Sequence, residues 1–174
     1  MSVVGRSLRA MDVAHGWSEW RGDWVAQKAD GTACPLCRIV VEEDRRWGLL
    51  VFDGQFVNGY LWRPGSVPGY CVAIWKQGHV VEPTELDEPS ASGFWLEVLR
   101  LGRALETLCR PAKMNYQTLG NVVPHLHTHL VPRHWADPAP HAPLPWSYLD
   151  DGLQSDDVLV PAAQRLRALL AEST

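Results

Sequence analysis

The sequence predicts an α+β protein in which a five-stranded antiparallel sheet packs with one long central helix and a C-terminal helix. Five short apolar segments typical of strands flank one long segment with helical periodicity. A parallel strand pair needs a crossover of about a dozen residues, and only the long helix supplies one, so antiparallel pairing is expected. The chain has 174 residues, 46% hydrophobic and 21% charged, which is enough for one domain with its own core.

The first three strands are predicted at 47–52, 56–62 and 70–75. Asp53-Gly54 separates the first two, and this dipeptide between strand-like segments is a strong hairpin signal. Segment 70–75 is a short apolar run near glycines, which is typical of a buried strand. We therefore expect a hairpin followed by a third strand.

The central helix is predicted over 94–108. Ser92 is the predicted N-cap, because its hydroxyl can accept a hydrogen bond from the first turn. Pro111 prevents the helix from continuing. Its apolar residues recur at steps of three and four and form one stripe: Phe94, Val98, Leu101, Leu105 and Leu108.

Two further strands are predicted at 114–119 and 122–131, on either side of Gly120-Asn121. Segment 132–145 is rich in proline and alanine, so we expect an extended surface segment there. The apolar pattern over 158–170 predicts a terminal helix.

Composition excludes several classes of function. The formal net charge is −4, so no basic excess favours binding to nucleic acid. No apolar run approaches the roughly 18 residues that span a bilayer, and no signal peptide is evident. We therefore expect a cytoplasmic protein with neither a nucleic-acid nor a membrane partner. Near the N-terminus, Trp17, Trp20 and Trp24 recur at helical spacing, which indicates a short amphipathic helix.

Three of the seven histidines fall within five residues, at His125, His127 and His129. Alternate residues of a strand lie on one face, so all three imidazoles are expected to share a face. The outer two would lie about 13 Å apart, which strains a single metal ion bound by all three. Two interpretations remain. Either two adjacent histidines hold a catalytic metal with a ligand from elsewhere, or each histidine has a separate role.

Amide and backbone donors lie just upstream of these histidines, at Asn115, Gly120 and Asn121. Such donors can stabilise an anionic centre. The histidine segment contains neither a serine nor a cysteine. An imidazole is therefore itself a candidate nucleophile.

The histidine segment resembles the histidine-triad (HIT) family. Residues 125–131 fit the pattern His-φ-His-φ-His-φ-φ, where φ is apolar, apart from Thr128. Three further segments resemble the family's Pro-Gly-His strand ending in Pro-Lys, its Gly-Gln stretch and its Pro-Arg: Pro68-Gly69-Tyr70 with Trp75-Lys76, Leu119-Gly120-Asn121-Val122-Val123-Pro124, and Pro132-Arg133. Bacterial zinc-containing members that resemble dinucleoside polyphosphate hydrolases are the expected relatives.

The likeness covers residues 33–135, which we expect to form the HIT-like domain. Residues 1–32 are then an N-terminal extension. Residues 136–174 are expected to add a Pro-rich segment and a helix that packs on the same domain.

The resemblance implies a hydrolase or nucleotidyl transferase that acts on the α-phosphate of a nucleotide. His127 matches the family's nucleophile, which forms a covalent nucleotidyl-histidine. His129 is expected to contact phosphate and to help protonate the leaving group, and His125 completes the triad. The resemblance implies a substrate-binding set of Asn115, Gly120, Asn121 and Arg133. The expected substrates are dinucleoside polyphosphates and nucleoside phosphoramidates, although Val122 lacks the hydroxyl that many members have.

Cys34 and Cys37 have the spacing of half a zinc site. The resemblance supplies His79 and His125 as the other two ligands, which would make a closed structural Cys2His2 zinc site. Free cysteines packed near a turn, or a redox pair, are the alternative interpretations of the two thiols.

The resemblance also implies a homodimer with paired central helices and strands. Two other functions remain open. One is a zinc-dependent hydrolase in which triad histidines bind a catalytic ion. The other is a nucleotide-binding module without turnover.

Overall fold

A computed structural model describes residues 22–42, 45–65 and 67–172 of the chain. Five strands in this part of the chain form one sheet in the order β1-β2-β3-β5-β4, and all neighbouring pairs are antiparallel. The strands are β1 (Gly48–Asp53), β2 (Val57–Trp62), β3 (Cys71–Trp75), β4 (Lys113–Gln117) and β5 (His127–Arg133). The predicted α+β class with an antiparallel five-stranded sheet is confirmed.

Five helices accompany the sheet within the described residues: α1 (Gly22–Asp30), α2 (Pro35–Glu42), α3 (Glu88–Cys109), α4 (Trp146–Leu149) and α5 (Asp156–Glu172). The predicted central and terminal helices are α3 and α5. The sequence analysis did not predict α2. Of the predicted tryptophan helix, Trp24 lies on α1, whereas Trp17 and Trp20 lie outside the described residues.

The predicted hairpin is formed by β1 and β2, with Asp53 opposite Asn58. Its loop is fixed from outside by Glu97 of α3. The carboxylate of Glu97 accepts hydrogen bonds from the backbone N–H groups of Gln55, Phe56 and Val57 at 2.7–2.9 Å. The loop donors are thus satisfied by the central helix, which fixes the hairpin against it.

Helix α3 begins earlier than predicted. Its N-cap is Asp87, not Ser92, and the Asp87 carboxylate accepts from the Ser90 N–H at 2.9 Å. The helix ends close to the predicted position. It ends at Cys109, because Arg110 adopts a left-handed conformation with φ 47° just before Pro111. The predicted stripe is buried at Phe94, Val98, Leu101 and Leu105 and packs on the sheet.

The later strands are shorter than predicted. Strand β5 begins at His127 rather than at 122, because the chain turns just before it and the His125 N–H donates to the Val123 carbonyl at 2.9 Å. Strand β4 ends at Gln117. His125 therefore lies before the strand, and the prediction that all three histidines share one strand is wrong for this residue.

The predicted surface segment at 132–145 also begins too early. Pro132 and Arg133 are the last residues of β5 and are buried. The residues that follow include the short helix α4.

The two faces of the sheet carry different cores. One face packs on α3 and α5 and includes Leu126 and Leu130. The other face packs on α2 and α4 and includes Tyr70 and Val131. Side chains alternate along a strand, so His127 and His129 lie on the same face as Val131. No helix in the described part of the chain is long and apolar enough to cross a membrane.

Candidate active site and metal centre

His127 and His129 lie on the middle of the sheet, where β5 pairs with β3. Their Cα partners on β3 are Ile74 and Val72. Only 7% of His127 and 8% of His129 is exposed, so both rings are almost completely buried.

Hydrogen bonding fixes which nitrogen of His127 is available. Its Nδ1 lies 2.5 Å from the backbone oxygen of His125. A carbonyl oxygen can only accept, so Nδ1 carries the proton. Burial lowers the pKa of His127, which keeps the ring neutral at physiological pH. Nε2 therefore carries no proton and has the lone pair that a nucleophile requires.

His129 lies next to this lone pair. The Nε2 atoms of His127 and His129 are 3.1 Å apart, and the hydroxyl of Tyr70 lies 2.7 Å from Nδ1 of His129. Burial lowers the pKa of His129 to about 3. The Trp146 ring stands edge-on to His129 at a centroid distance of 5.2 Å, so α4 forms one wall of the site.

Four side chains beside this site could hold a metal: Cys34, Cys37, His79 and His125. Their ligand atoms all lie within 4.8 Å of one another. Nδ1 of His125 is 3.6 Å from the Cys34 sulfur and 3.3 Å from the Cys37 sulfur, and Nδ1 of His79 is 3.4 Å from the Cys37 sulfur. Ligands on a tetrahedral zinc ion have nitrogen–sulfur separations of about 3.6 Å, so the cluster fits zinc.

The protonation of these ligands agrees with a metal site. Nε2 of His125 lies 2.8 Å from the Trp75 carbonyl, so Nε2 carries the proton and Nδ1 faces the thiols with its lone pair. Burial lowers the pKa of His125 to about 4. Burial, reinforced by the Cys34 thiol, raises the pKa of Cys37 to about 12. Cys37 is therefore a thiol without metal, and metal binding must release its proton.

The turn between α1 and α2 brings the cysteines to the histidines. Gly31 has φ 75°, a conformation that favours glycine. A Cβ on Gly31 would lie 2.7 Å from Cγ of His79. Cys34 immediately precedes α2 and Cys37 lies in its first turn, so the close turn places both sulfurs against His79 and His125.

Two predicted substrate-binding residues, Asn115 and Arg133, bind each other. The Arg133 guanidinium donates to the Asn115 side-chain oxygen and to the Asp137 carboxylate, both at 2.6 Å. It also donates to the backbone oxygens of Ala139 and Ala142. Arg133 lies six residues beyond His127, about 20 Å along a strand. The structure thus does not place this pair beside His127, and its substrate-binding role stays a prediction.

Gly120 and Asn121 lie in the loop between β4 and β5. Gly120 has φ 75°, and its carbonyl accepts a hydrogen bond from the Trp24 indole at 3.1 Å. Asn121 and Val122 are exposed. The Trp24 hydrogen bond therefore holds the loop against α1, and Asn121 stays accessible to solvent. The contact of Asn121 with phosphate stays a prediction.

Sequence reasoning missed Gln117 on the edge strand. Gln117 pairs with His129 across the β4–β5 ladder, so both side chains project from the same face. Its Nε2 is buried and has no hydrogen-bond partner among the described residues. Only the strand register, which the sequence does not display, identifies this amide.

Two buried histidines on the sheet thus lie beside a cluster of four side chains that could hold a metal. Residues 62–136 of the chain match the family model for the HIT domain. The predicted resemblance to the histidine-triad family is thereby confirmed over these residues. No curated protein matches the chain.

Solved structures of histidine-triad proteins share the fold. A histidine triad protein from Bradyrhizobium japonicum is 22% identical, with a TM-score of 0.66 over 74% of this chain and 95% of that one. A Zn-bound histidine triad family protein from Mycobacterium smegmatis is 22% identical, with a TM-score of 0.60 over 82% and 96%. The diadenosine triphosphate hydrolase of Plasmodium falciparum is 14% identical, with a TM-score of 0.55 over 74% and 79%.

Proposed function

We propose that this protein is a hydrolase or nucleotidyl transferase that acts on the α-phosphate of a nucleotide through a covalent nucleotidyl-His127. The observation that carries the proposal is the hydrogen bond from Nδ1 of His127 to the His125 carbonyl at 2.5 Å. It leaves Nε2 without a proton in a buried, neutral ring. The HIT domain match and the fold shared with a diadenosine triphosphate hydrolase support the nucleotide as the substrate.

In the first step, the Nε2 lone pair of His127 forms a bond to the α-phosphorus. The bond from phosphorus to the leaving group breaks, and its electron pair leaves with that group. The ring becomes cationic, and the His125 carbonyl stabilises this charge through the Nδ1–H bond. In the second step, water or another acceptor attacks phosphorus and releases Nε2 of His127. Donors near phosphate, of which His129 is the nearest to Nε2, stabilise charge on its oxygens in both steps.

The structure argues against triad histidines as ligands of a catalytic metal. Nδ1 of His125 faces two thiols and completes a four-ligand set with His79. His127 and His129 are not members of that set. A zinc ion bound by four protein ligands has no open position, so we propose a structural zinc that tethers the segment around Cys34 to His125.

Turnover and trapping test the proposal together. We expect the wild-type protein to release AMP from a diadenosine polyphosphate and acid quenching to trap adenylate on His127, identified by peptide mass spectrometry. Brief treatment with a chelator should leave the rate unchanged. A loss of turnover on chelation in a protein that stays folded would favour the metallohydrolase. Nucleotide binding without release of AMP would favour a binding module.

We also propose that two copies associate through α3 and β4. Strand β4 is one of the two outer strands of the described sheet. One side of α3 is buried against the sheet. Apolar side chains elsewhere on α3 are exposed, with 62% of Leu96 and 42% of Leu99 accessible to solvent. Tyr116 on β4 is also exposed. An unpaired strand edge beside an apolar helix surface favours pairing with a second copy.

Light scattering after size exclusion tests this association. We expect a dimer for the wild-type protein and a monomer for Leu99→Glu, because a carboxylate would be buried at the interface. Val158→Glu is the matched control, since Val158 is similarly exposed but lies on α5. A monomeric wild-type protein, or a dimer that Leu99→Glu leaves intact, would overturn the proposed interface.

A further inference from the structure

We propose that Tyr70 holds His129 as a hydrogen-bond donor rather than as a proton donor, and that the site therefore selects phosphoanhydride over phosphoramidate leaving groups. The inference rests on the proposed function at His127. It replaces the expectation that His129 helps to protonate the leaving group. Tyr70 is a positioning residue, because it is only 1% exposed and acts on the substrate through His129.

The assignment follows from counting protons along a chain of hydrogen bonds. Nδ1 of His127 donates to a carbonyl, so in the neutral ring Nε2 can only accept. Nε2 of His129 lies 3.1 Å from that atom and must therefore carry the proton between them. Nδ1 of neutral His129 is then an acceptor, and the Tyr70 hydroxyl at 2.7 Å is its donor. The hydroxyl thus fixes the tautomer in which His129 presents Nε2–H to the reacting phosphate.

This arrangement supplies a hydrogen bond but not a proton. If Nε2 of His129 gave its proton away, the ring would become an imidazolate unless Tyr70 passed its hydroxyl proton to Nδ1. Tyr70 would then become a buried tyrosinate, and burial raises the pKa of this phenol well above its ordinary value. Starting from an imidazolium does not help, because burial lowers the pKa of His129 to about 3.

The two substrate classes differ in their need for that proton. When His127 attacks a dinucleoside polyphosphate, the P–O bond breaks and the electron pair leaves on a phosphate oxygen, which is stable as an anion. When it attacks a phosphoramidate, the P–N bond breaks and the electron pair stays on nitrogen, which needs a proton to depart. General acid catalysis contributes roughly 10²–10⁴-fold to such steps. A site without a proton donor should therefore cleave the phosphoanhydride and fail on the amidate.

The test compares kcat/KM for diadenosine triphosphate and an adenosine phosphoramidate. We expect the wild-type protein to prefer the anhydride by about 100-fold or more. Tyr70→Phe should lower kcat on the anhydride about tenfold with little change in KM. Tyr60→Phe is the control, because its buried hydroxyl bonds the Ile39 carbonyl.

NMR chemical shifts of the imidazole nitrogens, measured on the zinc-loaded protein, report the tautomer of His129 directly. We expect Nε2–H on His129 in the wild-type protein and in Tyr60→Phe, and a mixture of tautomers in Tyr70→Phe. An unchanged tautomer in Tyr70→Phe would overturn the role of Tyr70. A wild-type protein that cleaves the amidate as fast as the anhydride would overturn the selectivity and leave the nucleophile standing. A wild-type protein that cleaves neither and forms no adenylyl-His127 would remove the proposed function and the selectivity with it.

Discussion

His125 and His127 are two residues apart in the chain, and they present opposite nitrogens to their surroundings. His125 gives its Nε2 proton to the Trp75 carbonyl and turns Nδ1 toward the thiols. His127 donates its Nδ1–H to the His125 carbonyl and leaves Nε2 unprotonated. Burial lowers the pKa of both rings, so both are neutral. The difference between the proposed metal ligand and the proposed nucleophile thus depends on which ring nitrogen donates to a backbone carbonyl.

This comparison also shows how the two sites are coupled. The residue that can bind the metal through its side chain supplies the carbonyl that orients the nucleophile. A zinc ion on His125 would fix the position of that backbone. The proposed metal site would then help to hold the proposed nucleophile in place without contacting the reacting atoms.

The largest effect is expected from breaking the nucleophile alone. His127→Asn removes the only atom proposed to bond phosphorus, so kcat should fall by at least roughly 10⁴-fold. The zinc content and the melting temperature should stay close to those of the wild-type protein, because His127 is outside the four-ligand set. Steady-state release of AMP, metal analysis and thermal unfolding measure the three quantities.

His141→Asn is the matched control for this variant, since His141 is exposed and lies beyond β5. Its turnover should equal that of the wild-type protein. If His127→Asn kept a tenth or more of the activity, a covalent intermediate on this residue would be untenable.

Removing a ligand of the proposed zinc site should lower the zinc content and the melting temperature more than the turnover. Cys37→Ser removes one of four ligands, and structural metal binding contributes to folding free energy. We expect zinc to fall below one ion per chain and the melting temperature to drop by roughly 10 °C, which corresponds to about 3 kcal/mol. Any loss of turnover at a temperature where the variant is folded should be far smaller than in His127→Asn.

Cys109→Ser tests whether thiol loss alone causes the drop. Cys109 lies at the end of α3 and outside the cluster, so its zinc content should be unchanged. Equal zinc in Cys37→Ser and in the wild-type protein would exclude Cys37 as a ligand.

The elements predicted from sequence are those with a local cause. The stripe from Phe94 to Leu105 and the Asp53-Gly54 hairpin depend on periodicity and turn chemistry within a few residues, and both are observed. The Cys34 and Cys37 pair was recognised from its spacing, and its histidines from the family resemblance. The structure brings these four residues together.

What the sequence missed depends on contacts between distant segments. The tautomer of His125 arises from the Trp75 carbonyl on a neighbouring strand. Gln117 faces His129 only through the register of β4 on β5. Asn115 was expected at phosphate, yet Arg133 bonds it from across the ladder. Strand pairing decides each of these, and pairing has no signature within a single segment.

The smallest effect expected is an acid sensitivity that originates in the neutral rings. The pKa of His129 falls from 6.5 to about 3 on folding. Between pH 6.5 and about pH 3, His129 binds a proton in the unfolded chain but not in the folded protein. The free energy of unfolding is therefore unaffected by this residue above pH 6.5 and decreases as the pH decreases below 6.5. At pH 5.5 the loss from His129 alone is about 1 kcal/mol, or about 3 °C in melting temperature. Thermal unfolding of the wild-type protein and of His129→Gln at pH 7.5 and 5.5 measures this.

His129→Gln should lose about 3 °C less than the wild-type protein on acidification, because glutamine takes up no proton. Acid release of zinc also destabilises the fold, but it affects both proteins equally and cancels in the difference. His141→Gln should keep the full wild-type pH dependence, since His141 is exposed. An equal pH dependence in the wild-type protein and His129→Gln would mean that His129 does not fold as a buried neutral ring.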